Sequence, residues 1–149
     1  MARSSRFAVA TLLSAGIVLL LGGAAAIAIG LVNPQLISDQ LPADAGIDAL
    51  AVGGAAVALG VGIGLVGVVH VAVAVALWRR VGIAATSGVV LAATMAMLSL
   101  GFGIAALVSI ASGAAPAVLM IPASVGLAGA VIAYAATTIV IMRARERPF

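Results

Sequence analysis

Residues 49–78 read ALAVGGAAVALGVGIGLVGVVHVAVAVALW and are followed at once by Arg79-Arg80. The stretch holds no charged side chain and no proline. As a helix rising 1.5 Å per residue it is about 45 Å long, against about 30 Å of hydrocarbon in a bilayer. A backbone exposed to lipid must satisfy its own N–H and C=O groups, which favours helix. A barrel strand would alternate apolar and polar residues over about ten positions, and this run does not. The segment therefore reads as a membrane-crossing helix stopped by two arginines.

Three more runs share this character. Phe7 to Val32 precedes it and ends at Asn33-Pro34, where proline removes a donor and biases the residue before it away from helix. Val81 to Ala111 follows the arginines and stops at Ser112-Gly113. Ala115 to Met142 stops at the tail RARERPF. Pro116 and Pro122 lie near its start, Pro116 suiting a first helical turn and Pro122 a kink. None of the four runs contains Asp, Glu, Lys or Arg.

Composition agrees. Of 149 residues, 65% are hydrophobic and 7% charged, against about 25% charged in a typical soluble domain. A soluble fold of this size leaves too much surface exposed to hide that much apolar area. The expected fold is all-α: a polytopic integral membrane protein built as a four-helix transmembrane bundle. It forms one domain over residues 1–149, with spans at about 7–32, 49–78, 81–111 and 115–142 and an outer loop at 33–48.

Charge sets the expected orientation. All seven basic residues are arginines, in three clusters: Arg3 and Arg6, Arg79 and Arg80, then Arg143, Arg145 and Arg147. The 33–48 loop holds Asp39, Asp44 and Asp48 and no basic residue. Four spans put all three basic clusters on one face, which the positive-inside rule makes cytoplasmic, so both termini are expected inside (N-in/C-in). Trp78 beside Arg79 suits an anchor at the same interface. The lack of lysine and the wealth of Ala, Gly and Val point to a GC-rich bacterial genome, hence a bacterial inner (cytoplasmic) membrane. In an alternative reading the first run is a signal peptide cleaved near Ala24–Ala26, although it exceeds the 7–15 apolar residues typical of one.

A net charge of +3 looks like a nucleic-acid signature, but the arginines are too few and too dispersed to track phosphates, so no nucleic-acid partner is expected. With no cysteine, disulfides, thiolate metal sites and cysteine nucleophiles are ruled out. Arg6-Phe-Ala-Val-Ala-Thr faintly echoes Arg80-Val-Gly-Ile-Ala-Ala-Thr, and chance similarity among so few residue types outweighs a repeat.

Lipid tails are as apolar as leucine, so membrane helices associate by close packing, which small residues permit. In the second run Gly53, Gly60, Gly67 and Ala74 recur every seven residues and Gly64 joins them, within about 40° of one line. Gly54, Ala58 and Gly62 form a second small row on the opposite side. Two such rows predict neighbours on both sides and a central place for this helix. Weaker rows are Gly22, Ala26 and Gly30; Gly88, Ala92 and Ala96; and Gly129 with Ala133.

Gly60-Val-Gly62-Ile-Gly64 resembles the glycine-repeat helix of the rotary ATP synthase proteolipid over those residues alone. That family implies a second helix with an ion-binding carboxylate, and the run after Arg80 has none. The size and span number are similar to those of the small multidrug transporters, whose first helix carries a glutamate; the first run here lacks one.

His70 is the one ionisable candidate within the runs, in a setting where ionisable groups normally mark ion paths or relays. It lies nine residues before Arg79, roughly 13 Å in. Tyr134 lies nine before Arg143, and Ser14, Thr86, Ser87 and Thr137 fall within a turn or two of that level. This is a candidate polar binding layer in the cytoplasmic half. A lone histidine supplies no relay, no four-ligand metal site and no second haem ligand, so a hydrogen-bonded structural histidine is favoured and no catalytic residue, metal or cofactor is expected. Met95, Met97 and Met120 suit gap-filling rather than copper binding. The function expected is that of a non-enzymatic small membrane protein, an accessory or assembly subunit or a homo-oligomer, whose partners are the lipid bilayer, itself or another membrane protein. The alternative is a channel, transporter or lipid or small-molecule binder lined by glycine, hydroxyls and His70.

Overall fold

The computed structural model describes residues 3–39, 48–113 and 117–145. Five helices follow one another among these: α1 (Arg3–Val32), α2 (Gln35–Ser38), α3 (Ala49–Trp78), α4 (Ala84–Ala111) and α5 (Ala117–Arg145). Four of them, all but α2, are long and apolar enough to cross a membrane. The loop residues Pro42, Asp44 and Gly46, together with Pro116, Glu146 and Arg147, lie outside the described residues.

Helix ends differ from the sequence reading where local chemistry decides. Pro34 does not simply stop α1, because the chain turns into the single-turn α2, with the Asp39 N–H donating to the Gln35 carbonyl at 2.9 Å. Helix α3 starts where its apolar run starts because Asp48 caps it: its Oδ1 accepts from the Leu50 N–H at 3.3 Å and its carbonyl from the Val52 N–H at 3.0 Å. The third span was expected from Val81, yet α4 begins at Ala84. The reason is the turn that ends α3. Arg80 adopts φ +56°, its N–H donates to the Leu77 carbonyl at 3.2 Å, and the Val81 N–H reaches back to the Ala76 carbonyl at 3.0 Å. That pair of bonds is a Schellman closure, and it uses up residues 79–83. Helix α4 also ends at a left-handed residue, Gly113 at φ +71°, whose N–H donates to the Ile110 carbonyl at 3.1 Å. Helix α5 passes through Pro122 and runs to Arg145, three residues beyond the expected end.

The chain forms two compact units, residues 13–72 and residues 1–12 with 73–149. In the first, α1 and α3 run antiparallel in direct backbone contact. A methyl on Gly16 would lie 3.0 Å from the Gly67 carbonyl oxygen, one on Gly23 2.6 Å from that of Gly60, and one on Gly30 2.6 Å from that of Gly53. Each relation is reciprocal, at 2.9, 2.6 and 2.7 Å in the same order. Seven-residue spacing on both helices keeps all three pairs on one seam, since seven residues are nearly two turns. Pro34 closes the end of the seam, 3.1 Å from where a Gly53 methyl would be.

In the second unit α4 and α5 pack together, also antiparallel. A methyl on Gly88 would meet Ile141 Cδ1 at 3.0 Å and one on Gly103 would meet Leu127 Cβ at 3.7 Å. Ala84, Gly88, Ala92 and Ser99 form the buried stripe of α4, and Tyr134, Thr137 and Ile141 that of α5. Small residues on α4 thus face larger ones on α5, unlike the glycine-on-glycine seam. Leu77 and Val73 of α3 also stand at Gly88, 3.2 and 3.6 Å from the same methyl position.

Candidate functional site

The residues singled out from the sequence divide between the two units. His70 and Ser14 belong to the first, while Thr86, Ser87, Tyr134 and Thr137 belong to the second. Ser14 and Thr86 are exposed, Ser87 is half-buried, and His70, Tyr134 and Thr137 are buried.

Within the first unit His70 is fully buried. Its Nδ1 lies 2.8 Å from the Val66 carbonyl oxygen, one turn back on α3. A carbonyl only accepts, so Nδ1 carries the hydrogen and donates. The ring is built in at its base as well: Gly16 on α1 leaves room where a methyl would stand 3.0 Å from His70 Cβ and 2.8 Å from Val71 Cγ2. Glycine at 16 therefore lets both the helix backbone and the histidine approach.

Within the second unit Thr137 Oγ1 donates to the Ala133 carbonyl at 2.8 Å and Thr138 Oγ1 to the Tyr134 carbonyl at 3.0 Å. On α4 Ser109 Oγ donates to the Ala105 carbonyl at 2.9 Å. Bonding back to the residue four earlier lets a hydroxyl sit in an apolar helix without an outside partner. No buried side-chain nitrogen or oxygen lacks a hydrogen-bond partner among the described residues. The same residues gather no group of three His, Cys, Asp or Glu side chains able to hold a metal ion.

The glycines separate into engaged and open positions. Gly53, Gly60 and Gly67 face α1. Gly64 contributes backbone to that contact, its N standing 2.8 Å from a methyl position on Gly23, but its own methyl position is open. Within the 13–72 unit the second row on α3 takes no part in the contact with α1: a Cβ on Gly54 or Gly62 would meet nothing within 4 Å, and Ala58 is exposed. On α1 the engaged row is Gly16, Gly23 and Gly30, not Gly22, Ala26 and Gly30, because a methyl on Gly22 would meet nothing within 4 Å. Gly16 and Gly23 were missed by sequence reasoning. The signal was present, since their seven-residue spacing repeats that of Gly53, Gly60 and Gly67.

Compared with models of known protein families, with curated proteins and with solved structures, the chain matches none.

Proposed function

We propose that this chain is a small multi-pass subunit of the cytoplasmic membrane, with four spans and both termini inside, that works by packing against other membrane-embedded chains rather than by catalysis. The observation that carries the reading is the division of labour on α3. One small row is consumed by α1, at Gly53, Gly60 and Gly67, while Gly54, Ala58 and Gly62 stay exposed on a helix whose surroundings would be lipid. Small residues on an outward face allow a second helix to approach closely, which is how helices associate where water exclusion gives no drive. The polar groups support the same reading. The described bonds of His70 Nδ1, Thr137, Thr138 and Ser109 go to carbonyls of their own helices, whereas a conducting path needs such groups turned toward it.

The test is the native mass of the protein in mild detergent and in lipid nanodiscs, for the wild type and for Gly54→Leu with Gly62→Leu. A Cβ at either position would meet nothing within 4 Å, so these substitutions start from open positions and not from the α1 seam. An assembly in the wild type that falls to the single-chain mass in the double variant is the expected result. A wild-type protein that is a single chain throughout, with no stoichiometric partner, would count against the reading.

A further inference from the structure

The turn between α3 and α4 spends an unusual residue at a strained position. Arg80 sits at φ +56°, where an L side chain crowds the following carbonyl and glycine does not. The chain is rich in glycine, with 18 of them, and it uses Gly113 at the equivalent place after α4. Gly82 stands two residues away in open space. Arginine therefore holds a site that glycine would fill with less backbone strain, and it brings a guanidinium to this turn.

The surroundings of that turn indicate what the guanidinium meets. Arg79 and Arg80 are exposed. The apolar side chains flanking them are exposed too: Trp78 at 64%, Val81 at 47% and Ile83 at 73%. A third arginine comes from α5. The α4–α5 register, set by Gly88 with Ile141, places Arg143 level with Thr86, within a turn of the start of α4, and Arg143 is exposed. At the other end of α4, the Ser112-Gly113 turn carries no charge. One end of this unit thus combines three guanidinium groups with an indole and two aliphatic side chains. Guanidinium matches a phosphate in a forked geometry, and indole prefers the boundary between acyl chain and headgroup.

We propose that the 78–83 turn with Arg143 binds the headgroup phosphate of an anionic phospholipid, Arg79, Arg80 and Arg143 meeting the phosphate while Trp78, Val81 and Ile83 enter the acyl boundary. A lipid rather than a free phosphate is the ligand, because those apolar side chains have no role toward a dissolved ion. The proposal rests on the membrane reading above, and the experiment separates the two.

Trp78 is the single tryptophan, so its fluorescence reports on this turn alone. The full chain is reconstituted into symmetric vesicles of phosphatidylcholine and phosphatidylglycerol, in which insertion direction cannot bias the result. A quencher is placed on the headgroup or upper acyl chain of one lipid or the other. The expected result is quenching by labelled phosphatidylglycerol that corresponds to a local enrichment of about five-fold over its bulk fraction, the size of one surface arginine's attraction. Arg79→Gln with Arg80→Gly and Arg143→Gln should lower the enrichment at Trp78 at least two-fold, the arginines left on that face setting the remainder, and an unchanged enrichment overturns the site. Arg79→Lys with Arg143→Lys keeps the charge but not the fork and should fall between the wild type and the neutral variant, while an unchanged circular dichroism spectrum of the neutral variant guards against a fold defect. Equal quenching by the two lipids in the wild type overturns the headgroup site while leaving the membrane reading intact. No quenching by either lipid overturns both. Loss of the preference on adding millimolar inorganic phosphate at constant ionic strength identifies a free-phosphate site and overturns the lipid assignment.

Discussion

Gly23 and Gly60 face each other so closely that a methyl on either would stand 2.6 Å from the carbonyl oxygen of the other. The obstacles are backbone atoms, which cannot turn aside as a flexible side chain can. Gly23→Ala should therefore push α1 and α3 apart and lower stability by about 1–3 kcal/mol, the usual range for overpacking. Its neighbour gives the control. Gly22→Ala meets nothing within 4 Å, so it should be neutral or stabilise by up to about 1 kcal/mol through helix propensity. Unfolding in detergent titrated with SDS, followed by circular dichroism, checks the contrast. Equal midpoints for the two variants would show that the seam does not form.

His70 offers a second contrast, between volume and bonding. Its ring is fully buried and donates to the Val66 carbonyl. His70→Ala removes the ring and leaves a cavity, with an expected loss of about 2–4 kcal/mol. His70→Phe keeps an aromatic ring, gives up the hydrogen bonding, about 1 kcal/mol, and adds a smaller overpacking cost because Phe is the larger side chain. The same unfolding assay should rank wild type, Phe and Ala in that order. An alanine variant as stable as the wild type would mean that the ring is not packed.

How much of this was legible in the sequence depends on the kind of information. The existence of four long apolar helices was legible because length and charge exclusion decide it, residue by residue. The row Gly53, Gly60 and Gly67 was also visible as a period. Its partner row carries the same seven-residue period but is overshadowed, because Gly22, Ala26 and Gly30 offer a more familiar four-residue spacing on α1 than Gly16, Gly23 and Gly30 do. Only the reversed register of an antiparallel pair selects the second set. The polar layer shows the limit of depth arguments. Counting residues from the arginines gives a level along a helix, but not the direction in which a hydroxyl points, and the Thr137 hydroxyl points back to Ala133. The late start of α4 turned on a single left-handed residue, Arg80, for which the sequence held no glycine signal.

Asp48 tests the start of α3. Its carboxylate accepts from the Leu50 N–H, one of the donors a helix cannot satisfy by itself. Asp48→Ala should cost about 1 kcal/mol and fray the first turn, whereas Asp48→Asn should keep most of the cap. Hydrogen exchange at the Leu50 amide is the direct readout. It should quicken in the alanine variant, while exchange deep in the seam, at Gly60, stays as in the wild type. Unchanged exchange at Leu50 would mean that solvent or headgroups satisfy that amide as well as the carboxylate does.

The two helix ends with positive φ make opposite demands on substitution. Arg80→Gly removes the crowding of a side chain at φ +56° and should stabilise the turn by about 1 kcal/mol, less whatever the guanidinium contributes through its own contacts. Gly113→Ala introduces that crowding at φ +71° and should destabilise by about 1 kcal/mol, although space for the methyl is free. Stability and charge then part company at residue 80. If the arginine is kept for its contact with headgroups, Arg80→Gly should unfold later than the wild type and yet bind anionic lipid less selectively. Measuring both properties on one preparation decides the matter. A glycine variant that is less stable would mean that the arginine secures the turn itself, and the strain would need no function to explain it.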